Sequence, residues 1–120
     1  MASALTAGGA ARGELENEVW SNAERALRAA SSSRWTVSAT HYGRAATAAR
    51  ELHGAASLIY ADLLLDQAAS LLSQGNVCSP GERTALLDAS WELQKLAIGV
   101  VFERDAAGTL VRLESRGAGF

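Results

Sequence analysis

Residues 45–72 read AATAARELHGAASLIYADLLLDQAASLL, and the spacing of their apolar side chains decides the fold class. Ala45, Ala49, Leu52, Ala56, Ile59 and Leu63 follow one another at alternating steps of four and three, the period of one helix face. The next two positions of that stripe are Asp66 and Ser70. Leu58, Leu65 and Leu72, with Ala61 and Ala68, take over on roughly the opposite side. A helix that is apolar first on one side and then on another needs several neighbours to cover it, and a chain of 120 residues supplies few. The pattern predicts an all-α, self-associating protein. Ala45 to Leu63 pack within the protomer, Leu58, Leu65 and Leu72 meet a second surface, and Asp66 marks the handover.

Outward from this stretch, three helices are expected. The first runs from about Glu14 to Ala30, with acids in its opening turns and Arg25 and Arg28 in its last, the sense that suits the helix dipole. Ser31-Ser32-Ser33 ends it, and Trp35-Thr36-Val37 reads as a brief extended link. The second, capped by Thr36 or Ser38, extends to about Gln74, where Gly75-Asn76 reads as a stop. Unbroken, it would be about 58 Å long, against roughly 35 Å for the diameter of a compact globule of this chain length. Either it breaks, with Gly43 and Gly54 as the weak points, or it projects and packs on a second copy.

Ser79-Pro80-Gly81-Glu82 reads as a capping box with proline at the first helical position and opens the third helix. This helix carries two apolar stripes, Leu86, Leu93, Ala97, Val100 and Leu87, Trp91, Ile98, Val101, so it belongs inside an assembly. Asp105-Ala106-Ala107-Gly108 is turn chemistry. Residues 100–114 are expected either to end the helix near Arg104 and leave a short extended segment, or to form a β-hairpin. The resulting architecture is a small three-helix bundle with a long central helix. It comprises a disordered tail over 1–13, a helical domain over 14–104, and a C-terminal turn and extended tail over 105–120.

Composition bounds the function. Cys78 is the only cysteine, so no internal disulfide forms and a reduced, cytoplasmic setting is expected. The apolar run from Ala55 to Leu65 falls short of the roughly 20 residues of a membrane span. Residues 1–13 resemble neither a secretory signal nor an anchor. Twenty-five alanines and ten arginines against one lysine fit a GC-rich bacterial or phage genome.

The chain carries no phosphate-binding glycine loop, nucleophile elbow or zinc signature, and neither a cofactor nor enzymatic activity is expected. His41 and His53 lie about 120° apart around an ideal helix and cannot share a metal. Asp62 and Asp66, one turn apart, are a candidate carboxylate pair, but the Glu-x-x-His motifs of dimetal bundles are missing. Trp20, Trp35 and Trp91 with Tyr60 are a candidate aromatic pocket for a flat ligand, and more often such residues anchor a core or an interface.

Charge is segregated although the net is only −2. Arg25, Arg28, Arg34, Arg44 and Arg50 are followed by the first acid, Glu51, with none between Arg25 and Arg50. With Trp35 and Tyr42 these arginines form a candidate contact surface for phosphates or for an acidic protein. The acidic pI of about 5.6 and the lack of a basic recognition helix weigh against nucleic acid. The expected object is a homodimer that binds a protein partner as an adaptor, regulator or inhibitor. Its dimer-interface candidates are Leu58, Leu65, Leu72, Leu87, Trp91 and Ile98. A ligand-sensing or nucleic-acid-associated transcriptional regulator with an aromatic pocket is the alternative.

Overall fold

The computed structural model describes residues 2–104, with side chains described over 11–102. Over that span the chain is all-helical, with four helices: α1 (Ala2–Ser31), α2 (Trp35–His53), α3 (Leu58–Val77) and α4 (Pro80–Arg104). Each packs chiefly on its chain neighbours, α1 on α2, α2 on α3 and α3 on α4. The pairing is antiparallel at each step. Asn22 meets His41, Ser38 meets Ser70, and Ser90 meets Ala68.

The expected long central helix is therefore two helices. Gly54 adopts φ +93° and ψ 164°, a conformation essentially closed to residues with a Cβ, and its amide closes α2 on the Arg50 carbonyl at 2.8 Å. Three residues later Ser57 caps α3 by accepting the Tyr60 amide at 3.2 Å. This break removes the length mismatch. Gly43, the other weak point, stays helical within α2; a Cβ there would lie 2.9 Å from Gln67 Nε2, the movable end of that side chain.

Other boundaries differ for identifiable reasons. α1 spans Ala2–Ser31 and so begins before the expected Glu14. Ser33, at φ 58°, completes the turn after α1. Trp35-Thr36-Val37 belongs to α2 and not to an extended link. Gly75 does not stop α3; it is buried inside the helix against α4, with Leu86 Cβ 3.7 Å from where its own Cβ would stand, an ordinary contact distance. α4 begins at Pro80 as its start signal predicts and continues through Val100 to Arg104, which excludes a hairpin starting at Val100. The turn and tail expected after Arg104 lie outside the described residues.

The core is built mainly from small side chains. Ala26, Ala45 and Ala49 have no exposure at all, and Tyr42, Tyr60, Leu63 and Leu64 fill the space around them. Buried hydroxyls join the alanines between the helices. Ser38 and Ser70 share a buried hydrogen bond of 2.9 Å across α2 and α3, and Ser90 donates to the Ala68 carbonyl at 2.9 Å across α3 and α4. No ion pair crosses between helices among the described residues. The molecule measures 49 × 44 × 23 Å, about two helix diameters thick, so each helix keeps a broad solvent face.

Candidate interaction surfaces

That shape leaves large apolar side chains outside. On α4 the stripe Leu86, Leu93, Ala97 and Val100 packs inward, whereas Leu87, Trp91, Ile98 and Val101 are exposed, Trp91 by 54%. On α3, Leu58, Leu65 and Leu72 are likewise exposed, Leu65 by 46%. All six residues read from the sequence as interface candidates are therefore on the surface of the protomer.

They also fall on one face. The edge of α3 that meets α4 runs through Ala61, Ala68 and Gly75, and Leu58, Leu65 and Leu72 lie about 40–60° around the helix from it. The edge of α4 that meets α3 runs through Leu86, Ser90 and Ala97, and Leu87, Trp91 and Ile98 each lie one residue, about 100°, further round. Because the two helices are antiparallel, rotation in the same sense carries both sets to the same side of the hairpin. Rotation in the opposite sense leads to Tyr60, Leu64, Leu93 and Leu96, which line a groove of 640 Å³. The apolar face and the groove are on opposite sides.

The arginine surface is divided. Arg25, Arg28 and Arg34 line a small cavity with His41 where α1 passes into α2. Arg44 and Arg50 border the large groove instead, in company with Glu18 and Glu51, so that region is mixed in sign. Trp35 is half-buried at the first position of α2. Tyr42 is a correction: it is buried in the core and cannot belong to a surface patch. Tyrosine's amphipathic ring suits either setting, and its spacing from Ala45 and Ala49 was the signal for the core.

His41, which lies within the basic stretch beside Trp35 and Tyr42, is placed by Asn22. Asn22 Oδ1 can only accept, so His41 Nδ1 carries the hydrogen of their 2.8 Å bond, and Asn22 Nδ2 in turn donates to the Glu18 carbonyl at 2.9 Å. Burial lowers the His41 pKa from its usual value, and the nearby Arg44 and Arg25 lower it further. Its neutral form is thus favoured by folding, so the associated stability is present above about pH 6.5 and lost as pH falls below that value.

The acids behave differently. Partial desolvation of its carboxyl, and then the neighbouring Asp62, raise the Asp66 pKa from its ordinary value; burial, and then Asp66, raises that of Tyr42. A raised carboxyl pKa means that the folded state binds the proton more tightly. Stability from this group is greatest at acid pH and declines as pH rises through the folded pKa. Asp66→Asn is expected to raise the urea midpoint at neutral pH and to flatten its decline between acid and neutral pH. Asp66 is exposed, so the gain is below about 1 kcal/mol; a lower midpoint at neutral pH would contradict it.

Family models, curated proteins and solved structures give no match to the chain. Among the described residues no group of three or more His, Cys, Asp or Glu side chains is placed to hold a metal. No helix there is long and apolar enough to cross a membrane. The tryptophans do not converge. Trp20 and Trp91 are exposed on α1 and α4, and only Tyr60 of the aromatic set borders the groove.

Proposed function

We propose that the chain is a non-enzymatic protein–protein interaction module that works as a helical homodimer, in the manner of an adaptor, regulator or inhibitor. The observation that carries this reading is the set of large apolar side chains left exposed on one side of the α3–α4 hairpin, with Asp62 the charged residue among them. Exposed leucines are ordinary singly, but a contiguous apolar patch on a small domain marks an association surface. Trp91 is among the exposed residues of this face, and buried aromatics dominate interface energetics. A second copy supplies the same face about a two-fold axis, the commonest arrangement of soluble oligomers. The arginine-bearing surface of α1 and α2 lies outside this interface and supports contact with an acidic partner.

Size-exclusion chromatography with light scattering tests the dimer. A particle of twice the 12.5 kDa chain mass is expected at micromolar concentration, and Leu65→Glu combined with Trp91→Glu is expected to convert it to monomer with its helical circular dichroism intact. A parent chain that elutes at the monomer mass would overturn the homodimer.

A further inference from the structure

The cavity between the end of α1 and the start of α2 measures 270 Å³ and is lined by Arg25, Arg28, Ala29, Ser32, Arg34, Val37 and His41. No carboxylate lines it, and the sequence has no acid between Glu24 and Glu51. Glu24 is taken up by Arg28 at 2.6 Å. Among the described residues neither Arg25 nor Arg34 forms an ion pair.

The backbone adds to the same field. α2 opens with Arg34 as its N-cap, and no side chain accepts from its first turn. The first amide closed within the helix is that of Ser38, on the Arg34 carbonyl at 3.0 Å, which leaves the amides of Trp35, Thr36 and Val37 at the positive end of the helix dipole. A helix start usually carries Ser, Asp or Asn, whose oxygen accepts from these amides. Here the capping side chain is a further cation.

His41 forms the inner wall, its Nδ1 committed to Asn22. The carbonyls at the end of α1 are already occupied: Ala29 accepts from Ser32 and Arg34, and Ala30 from Ser33. Guanidiniums that converge on a concavity repel one another, and a bound anion reverses that cost.

We propose that this cavity binds the phosphate dianion, as inorganic phosphate or as a phosphate monoester. Arg25 and Arg34 hold its oxygens, the first amides of α2 donate to it, and the Ser32 hydroxyl stands at the rim. The donors come from both helices, guanidiniums from α1 and from the α2 N-cap and amides from the first turn of α2, which suits a group with several acceptor oxygens and two charges. A single carboxylate is satisfied by one planar guanidinium fork. The volume exceeds the share of one water, about 30 Å³, and leaves room for a small organic substituent on the phosphate. The site belongs to the protomer, so it stands whether or not the chain dimerises.

Titration of the full chain with sodium phosphate, followed by amide and histidine NMR at constant ionic strength, tests it. Saturable shifts confined to Trp35, Thr36, Val37 and His41 are expected, and acetate and chloride should not reproduce them. Combining Arg25→Gln with Arg34→Gln is expected to weaken phosphate binding about tenfold or more, while Arg83→Gln on α4 leaves it unchanged. Arg25 and Arg34 are both exposed, so the variant should fold, and the parent titration needs no variant. Glycerol phosphate and a phosphoserine peptide distinguish the source. Equal affinity identifies a free ester and tighter peptide binding a phosphorylated partner; both support the site. Shifts that scale with ionic strength alone, or duplex DNA binding without a saturable phosphate response, would overturn it.

Discussion

Ala45→Leu together with Ala49→Leu is expected to lower stability by about 3 kcal/mol or more, because overpacking alone costs about 1–3 kcal/mol at a filled core site. Both alanines have zero exposure and lie one turn apart on α2, in the core cluster that takes residues from all four helices. A leucine needs space that a seam of alanines and hydroxyls does not hold. Either the added methyl groups leave their rotamers or the helices separate, and separation also lengthens the 2.9 Å Ser38–Ser70 bond. The two positions share neighbours, so their costs need not add. Urea unfolding at fixed protein concentration measures the effect, since association makes the midpoint concentration-dependent. Ala85→Leu, at an exposed position of α4, is the matched control and should stay within about 0.5 kcal/mol of the parent. If the core pair unfolds no earlier than the control, the close-packed seam is not what holds α2 in place.

That seam shows how much of the fold was legible in the sequence. Stripes report which side of a helix is apolar but not which side turns inward: on α4, Leu86, Leu93, Ala97 and Val100 turn inward while Leu87, Trp91, Ile98 and Val101 stay outside. Stripes do not report continuity. Ala56 and Ile59 prolong the spacing of Ala45 and Ala49 across Gly54, yet both are exposed, because a backbone reversal restarts the angular count. The signal that outweighs the spacing is local, a glycine three residues before a capping serine. Small polar residues were the second blind spot. Ser38 suits a cap and Gly75 a stop by sequence, whereas both are buried where helices meet, since helix ends and helix–helix seams select the same small residue types.

The candidate surfaces were legible to different degrees for the same reason. Exposure on α3 and α4 follows from having more apolar stripes than neighbours, which sequence can count. The arginines form one block in sequence, but successive positions on α2 diverge by about 100° each. Arg34 and Arg44 therefore serve different cavities, and Tyr42, between them in sequence, points into the core.

Gly54→Ala with Ser57→Ala is expected to cost the four-helix protomer about 1–3 kcal/mol at the glycine alone, the strain of an L residue at φ +93°. No atom lies within 4 Å of the added methyl group, so the penalty is conformational and not steric. The same substitution favours the helical alternative at that residue by about 1 kcal/mol. Removing the Ser57 hydroxyl also releases the Tyr60 amide from its cap. Both changes bias residues Trp35 to Val77 towards one helix about 64 Å long, in which α2 and α3 can no longer fold back on each other. The Ser38–Ser70 contact must then be made between chains, a domain-swapped dimer. The experiment belongs in the Leu65→Glu, Trp91→Glu background, where the α3–α4 face no longer associates and any dimer must come from the swap. Light scattering should report a return to twice the chain mass, small-angle scattering a longer particle, and circular dichroism no loss of helix. A monomer with the parent's dimensions and urea midpoint would mean that Gly54 does not hold the two helices apart.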